Sequence, residues 1–136
     1  MNIDELIENF QWLEDWEDRY AYVMELGQTL DAMAEEDKTE ENRVKGCQAT
    51  VWLKSQTDDQ TPPCLSFVAD SNSQIVKGLV YILHLMFSGK SISEIIAYDE
   101  KAIFSRLGLD RHLSPTRSTG LNAMVQQIKA QARSAG

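Results

Sequence analysis

The chain of 136 residues is 43% hydrophobic and 25% charged, which is ordinary for a single globular domain over residues 1–136. Its formal net charge of −8 argues against nucleic acid or an anionic membrane as the main partner, because phosphate recognition draws on clustered lysine and arginine. No apolar run approaches the roughly 20 residues that span a bilayer, and the acidic N-terminus is unlike a signal peptide. We therefore expect a cytoplasmic protein whose two cysteines are free thiols.

The first third of the chain has the periodicity of helices. Apolar residues recur at helical spacing near the N-terminus, and Asn2 with Glu5 predicts a cap at the start of the first helix. A second helix is predicted to begin near Asp15, with apolar residues along one stripe. The segment "AEEDKTEEN", residues 34–42, has no apolar face and is predicted to be a solvated connection.

The pattern then changes to the alternation that is typical of strands. The segments "QATVWLK" and "CLSFVAD", residues 48–54 and 64–70, predict two strands that pair antiparallel across the turn-rich residues between them. Residues 43–45 could form a further edge strand, with Gly46 separating it from the next strand.

The remainder of the chain is helical by pattern. A helix over residues 71–89 would begin with Ser71 and Gln74 at capping-box spacing and end at Gly89. Later helix signals are Ser91 with Glu94, Gly108 after residues 102–107, and Ser114 with Pro115 in the first turn. Helices, a small antiparallel sheet and further helices together indicate an α+β domain.

The strongest chemical candidate is Cys47, which stands between a glycine and the first predicted strand. The thiolate is the reactive form of cysteine, and nearby cations lower the pKa of the thiol. Arg43 and Lys45 supply local positive charge, and Gly46 removes bulk beside the sulfur, so that a group of another protein could approach. From these features alone, a small structural residue that happens to be cysteine remains an alternative.

Other candidate residues have weaker signals. Cys64 follows two prolines without a basic neighbour and is interpreted as a half-buried structural cysteine. His84 and His112 stand at no metal-ligand spacing, and the chain lacks the usual cysteine and histidine supply of a zinc or iron–sulfur site. Because no G-x-S-x-G elbow and no phosphate-binding glycine loop occurs, we expect neither a serine hydrolase nor a bound cofactor.

Several blocks carry a resemblance to a known family. They are "NRVKGCQATVWL", "FVADSNSQIVKGLVYIL" and "LGLDRHLSPTRSTGLNAMV", preceded by "DWEDRYAYVMELGQTL". In this order and spacing, the chain from about Asp15 to Ile128 resembles the SufE family of sulfur-acceptor proteins. The V-x-G-C-Q-x-x-V-W block is specific, and the other blocks support it independently. Ala49 and Thr50 depart from the pattern, because many relatives have a serine-containing segment there.

The resemblance implies a fold like that of the iron–sulfur scaffold IscU and, as partner, a PLP-dependent cysteine desulfurase of the SufS or CsdA kind. The cysteine that matches Cys47 would accept sulfur from the desulfurase persulfide and hold it for an iron–sulfur assembly complex. Arg117 and Asp70, by their positions in the matching blocks, would help to support the cysteine loop. PLP belongs to the partner, so the protein would be an accessory of sulfur transfer rather than a stand-alone enzyme.

The parity of the first strand predicts how Cys47 is held. If the cysteine continued the extended run, its side chain would face the core side of the sheet. A persulfide there would be shielded from other thiols and oxidants, and the loop would have to swing out when the desulfurase docks.

Two other functions stay open on the residues alone. A metallocluster scaffold of the same fold would rely on several cysteines, whereas this chain has Cys47 and Cys64. A single-cysteine peroxidase would consume peroxide without any partner. Stimulation of a desulfurase distinguishes the sulfur acceptor from both.

Overall fold

A computed structural model describes residues 1–135, in which helices flank a small sheet, so the α+β fold predicted from the sequence is confirmed. The elements are α1 Ile3–Trp12, α2 Trp16–Gln28, β1 Val51–Thr57, β2 Cys64–Ser71, α3 Gln74–Phe87, β3 Lys90–Ser91, α4 Ile92–Ala97, α5 Glu100–Leu107, α6 Leu109–His112 and α7 Pro115–Ala135. A short 3₁₀ turn, Glu35–Asp37, lies within the predicted solvated connection. No helix of the described residues is both long enough and apolar enough to cross a membrane.

The sheet has the strand order β1-β2-β3, and both strand pairs are antiparallel. In the β1–β2 hairpin, Val51 pairs with Ser71 at one end and Thr57 pairs with Leu65 at the other, as the sequence predicts for two strands joined by a turn-rich segment. β3 was not expected, because two residues are too few to show an alternating pattern.

The region before β1 differs from the prediction. Residues 48–50 are not part of the strand, and the edge strand expected over residues 43–45 is reduced to one bridge between Arg43 and Trp52. The reason is the backbone of Gly46, whose φ of +91° is left-handed. Glycine adopts this conformation readily, and it turns the chain out of the extended course that a strand needs.

Helix α3 lies at the centre of the core. Most of its apolar side chains are buried, among them Leu79, Ile82 and Leu83. Helix α2 packs closely against it at Gly78, where an added Cβ would lie 2.0 Å from the carbonyl oxygen of Val23. Because no side chain fits there, α3 is held tightly between α2 and the sheet, and its first turns reach the neighbourhood of Cys47.

Capping signals in the sequence correctly located several helix starts. The side chain of Asn2 caps α1, and Ser91 with Glu94 forms a complete capping box at α4. Ser114 Oγ accepts a hydrogen bond from the backbone N–H of Arg117 at 3.2 Å, which orders the first turn of α7. Local capping signals were therefore sufficient to predict these boundaries from the sequence.

The predicted cap of α3 is wrong. Ser71 is the last residue of β2, and its hydroxyl donates to the carbonyl oxygen of Thr50 at 2.8 Å. The N-cap of the helix is Ser73, whose side chain makes no capping hydrogen bond. The spacing of Ser71 and Gln74 was misleading because the Ser71 hydroxyl bonds across the hairpin instead.

A buried ion pair fixes α7 against the helices before it. Lys129 Nζ lies 2.9 Å from Glu100 Oε2, and the two side chains are 10% and 9% exposed. The ammonium group also donates to the carbonyl oxygen of Tyr98 at 2.9 Å. Removing one partner of such a pair leaves an uncompensated buried charge, so this contact holds α7 in a defined position.

Candidate functional site

Cys47 lies at the tip of a short loop that leads into β1. At the base of the loop, the backbone N–H of Val44 donates to the carbonyl oxygen of Val51 at 2.8 Å. Gly46 makes the bend immediately before the cysteine, with φ +91°. Residues 45–50 therefore form a closed loop whose two ends are joined and whose tip carries the thiol.

The thiol of Cys47 points toward α7. Its Sγ lies 3.3 Å from the carbonyl oxygen of Gly120, to which the thiol donates a hydrogen bond. The loop backbone packs on the same helix, since a Cβ added to Gly46 would lie 3.3 Å from Cβ of Ala123. Cys47 is consequently half-buried. The shielding expected from strand parity is thus provided by α7, because β1 does not extend back to the cysteine.

A cavity of about 510 Å³ lies beside the thiol. β1, α3 and α7 contribute apolar residues to its wall, and the first turn of α7 contributes polar ones. The apolar residues include Val51, Val76, Leu79, Leu121 and Met124, and the polar ones are Thr116 and Arg117, Ser114 just before the helix, and Gln48 of the cysteine loop. The volume exceeds that of one water molecule in the liquid, about 30 Å³, many times over, so an additional sulfur on Cys47 would find room there.

The charges around Cys47 differ from those inferred along the sequence. Arg43 and Lys45 lie 3.5 and 4.0 Å from carboxylate oxygens of Glu40. Burial raises the pKa of the Cys47 thiol above its ordinary value, in the direction opposite to that expected from its basic neighbours. In this conformation Cys47 is therefore a neutral thiol that donates a hydrogen bond.

Arg117 is brought to the same cavity as Cys47. It lies in the first turn of α7, one helical turn before Gly120, and its side chain is exposed. The chain segments that carry the two residues are far apart in sequence, and the docking of the cysteine loop on α7 joins them. Arg117 therefore lines the same cavity as Cys47, and its expected role in supporting the cysteine loop stays a prediction.

Asp70 does not line the cavity and lies near the end of β2, between Lys38 and Lys77. Its carboxylate is 3.3 Å from Lys38 Nζ and 3.6 Å from Lys77 Nζ. It also accepts a hydrogen bond from the N–H of Ser71 at 2.8 Å. Asp70 therefore joins Lys38, in the connection before β1, to the end of β2 and to α3, and its expected role in supporting the cysteine loop stays a prediction.

Comparison with known proteins identifies the family. A model of the family described as "SufE: Fe-S metabolism associated domain" matches residues 4–132. The chain belongs to the SufE family. An uncharacterized SufE-like protein of Rhizobium etli is 48% identical over 133 residues, which cover 97% of this chain and 90% of the relative. A second one, from Rhizobium meliloti, is 46% identical over 132 residues, which cover 96% and 94%.

The fold has a counterpart among solved structures. The solution structure of a hypothetical protein from Thermus thermophilus superimposes with a TM-score of 0.76 and covers 98% of this chain and 94% of that one. The sequence identity is 20%, so this likeness bears on the fold alone. The resemblance read from the sequence blocks is confirmed by the family match, and a SufE domain is associated with Fe–S metabolism.

The second cysteine of this SufE-family chain lies at the far end of the hairpin. Cys64 pairs with Ser91 in the sheet, and its backbone N–H donates to Asp58 Oδ1 at 2.9 Å. β1 has 7 residues, which at about 3.3 Å per residue separate the two ends of the hairpin by about 20 Å. The two thiols therefore cannot meet without rearrangement of the sheet. Cys64 is half-buried, as the sequence predicts.

The histidines lie outside the cysteine site. The ring of His84 contacts that of Phe67 edge to face, with centroids 5.4 Å apart, and His112 stacks on Trp16 at 4.1 Å. Among residues 1–135, no three histidine, cysteine, aspartate or glutamate side chains are placed to hold a metal ion.

Gly120 is the site residue that sequence reasoning missed. Its carbonyl oxygen accepts the hydrogen bond of the Cys47 thiol, and its side-chain-free surface faces Cys47. A glycine inside a helical pattern was the available signal, since glycine weakens a helix and its presence there needs a reason. Its partner, however, lies 73 residues away, so periodicity could not reveal the contact.

Proposed function

We propose that this protein accepts sulfane sulfur on Cys47 from a PLP-dependent cysteine desulfurase, activates that enzyme, and passes the sulfur to an iron–sulfur assembly complex. The observation that carries the proposal is a thiol at the tip of a closed loop, set beside a cavity with room for a second sulfur. The association of the SufE domain with Fe–S metabolism supports the same reaction class. The desulfurase supplies PLP, so this chain needs no cofactor for the transfer.

The transfer step is a nucleophilic exchange at sulfur. The Cys47 thiolate attacks the terminal sulfur of the desulfurase persulfide, and a new S–S bond forms on Sγ while the S–S bond of the donor breaks. The donor cysteine leaves as a thiolate and takes up the proton that Cys47 has released. One sulfur atom is transferred from the donor cysteine to Cys47, and neither an oxidant nor a reductant is consumed.

The described conformation holds Cys47 in its less reactive form. Burial raises the pKa of the thiol, and its hydrogen bond to Gly120 is one that only the protonated group can donate. Docking of the desulfurase would move residues 45–50 off α7 and expose the sulfur, which lowers the cost of ionisation. The loop is suited to this movement because few contacts hold its tip, whereas the backbone bonds at its base can persist.

After loading, the cavity gives the persulfide a protected position. Its apolar wall keeps stray thiols and oxidants away from the terminal sulfur. Arg117 on the polar wall offsets the negative charge of a persulfide anion. A reducing compartment, which we propose to be the cytosol, keeps the unloaded thiols free between cycles.

The function is tested by sulfide release. A cysteine desulfurase and cysteine are incubated with and without this protein, and turnover is followed together with the intact mass of the acceptor. We expect faster turnover and one additional sulfur on Cys47. Cys47→Ser should remove both effects and leave the circular dichroism spectrum unchanged, because the residue lies in a loop. Undiminished stimulation by the serine variant would rule out the proposal.

The same preparation distinguishes the other two functions. Iron and sulfide in equal proportion, with a cluster absorbance that survives dialysis, would favour a metallocluster scaffold. Peroxide consumption at Cys47 in the absence of any desulfurase would favour a peroxidase.

A further inference from the structure

Gly120 stands inside α7 although glycine weakens a helix relative to alanine. The backbone does not require it, because the glycines with positive φ among the described residues are Gly46, Gly89 and Gly108. Gly120 therefore has a backbone that any residue could adopt.

The packing of the unloaded protein does not require glycine there either. A Cβ built on Gly120 has three nearest neighbours, and all belong to Cys47: Sγ at 3.6 Å, and Cα and Cβ at 3.8 Å. These are ordinary van der Waals distances, so a methyl group fits against the thiol form. Gly78 is different, because a Cβ there would lie 2.0 Å from a backbone oxygen. The missing side chain of Gly120 thus faces the cysteine, and an alanine would stabilise the helix.

The persulfide needs space that the thiol does not. The second sulfur replaces the thiol hydrogen and lies about 2.0 Å from Sγ, the length of an S–S bond. In the described conformation that hydrogen points to the carbonyl oxygen of Gly120, 3.3 Å from Sγ. A sulfur in the same direction would overlap the oxygen, and a persulfide anion has no proton to donate. The S–S bond must therefore turn about the Cβ–Sγ bond, away from the carbonyl oxygen and into the adjoining cavity, whose wall includes Gly120.

On the basis of the proposed sulfur-acceptor role, we propose that Gly120 is a positioning residue of the loaded state. Its side-chain-free surface is the room into which the terminal sulfur of the Cys47 persulfide turns. A methyl group 3.6 Å from Sγ would exclude the S–S directions on that side. A second sulfur about 2.0 Å from Sγ would there lie closer to the methyl than the van der Waals radii allow. Glycine at position 120 lowers the stability of α7 but leaves space for the terminal sulfur of the persulfide.

The test compares Gly120→Ala with Thr119→Ala in the full chain. Thr119 is the exposed neighbour in the same turn, where its hydroxyl donates to the carbonyl oxygen of Pro115 at 2.9 Å. Both changes raise helix propensity, and only the first places a methyl beside Cys47. Each variant is loaded with sulfur in two ways. The first uses desulfurase with cysteine. The second uses sodium polysulfide, which gives one sulfur atom to Cys47, becomes one sulfur shorter and needs no docking of another protein.

For Gly120→Ala we expect a melting temperature about 2–4 °C higher than that of the wild type and an unchanged pH profile of thiol alkylation. Persulfide on Cys47 should fall at least fivefold with either donor, while the acceptor concentration that half-saturates the desulfurase stays the same. Thr119→Ala should load as the wild type does.

The outcomes are distinguishable. A wild-type protein that gains no sulfur from the desulfurase contradicts the sulfur-acceptor role itself. If the wild type loads and Gly120→Ala holds as much persulfide for as long, the proposed role of Gly120 is wrong and the acceptor role stands. A destabilised or unfolded Gly120→Ala also overturns it, because the geometry requires a methyl to fit against the thiol form.

Discussion

The two cysteines lie at opposite ends of one hairpin, and their surroundings differ. Cys47 is on a closed loop that rests on α7, so its position depends on side-by-side packing of two segments rather than on strand pairing. Cys64 is within a strand whose backbone pairs with β3, so its position depends on the sheet. The comparison shows why similar exposure does not mean similar accessibility: a loop can move to present its thiol to another protein, whereas a paired strand can do so only by breaking the sheet.

Substitution of each cysteine by alanine gives the largest expected effect. Cys47→Ala should reduce persulfide formation and desulfurase stimulation to background, since the accepting sulfur is gone. Cys64→Ala should retain both within about twofold, because Cys64 is about 20 Å away along the hairpin. Intact-mass analysis with a desulfurase activity assay checks both variants. If Cys64→Ala accepts sulfur but cannot pass it to the iron–sulfur assembly complex, Cys64 is a resolving thiol and the contrast between the two ends fails.

Backbone exchange would sharpen the comparison of mobility. Amide hydrogen exchange should be faster over residues 43–48 when the desulfurase binds, because the loop leaves α7. Residues 64–67 should keep their protection, since their hydrogen bonds belong to the sheet. Mass spectrometry of peptides from the free and bound protein measures the difference. Protection of the cysteine loop without any fast-exchanging phase would argue against the outward movement.

Asp70 tests whether charge holds the Cys47 end in place. Asp70→Asn keeps the shape and removes the charge that Lys38 and Lys77 share, so we expect the free energy of unfolding to fall by about 1–2 kcal/mol. Urea denaturation measures this loss. The rate of thiol labelling should rise more at Cys47 than at Cys64 when Asp70 is replaced. Glu40→Gln is the matched control, because its ion pairs with Arg43 and Lys45 are exposed and worth little. Equal losses in the two variants would contradict the anchoring role.

The smallest effect concerns pH. Because burial raises the pKa of Cys47 in the folded protein, its contribution to stability is fully present below the pKa of the unfolded chain, about 8.5. That contribution is lost as pH rises through the higher folded pKa. Cys47→Ala should therefore show a shallower decline of unfolding free energy above about pH 8.5 than Cys64→Ala, as measured by denaturation at increasing pH. The same slope in both variants would show that Cys47 is not the buried titrating thiol.

Much of this molecule follows from local sequence. The α+β class, the hairpin and the starts of α1, α4 and α7 were predicted, because periodicity and capping depend on residues within a few positions of each other. Cys47 was identified from its neighbours and from the blocks of the SufE family. Local signals were wrong at Ser71, where a hydroxyl with cap spacing bonds across the hairpin.

Only the tertiary structure decided the state of the thiol. The approach of Cys47 to Gly120 joins residues 73 positions apart, and the burial that raises the thiol pKa results from that approach. Arg43 and Lys45, which are near Cys47 in sequence, form ion pairs with Glu40, whereas Arg117 of α7 lines the cavity beside Cys47. A pKa depends on desolvation and on charges close in space, and chain folding brings these together from distant segments. The sequence by itself therefore determined which thiol we propose as the sulfur carrier, and the packing of the loop on α7 determined how that thiol is held.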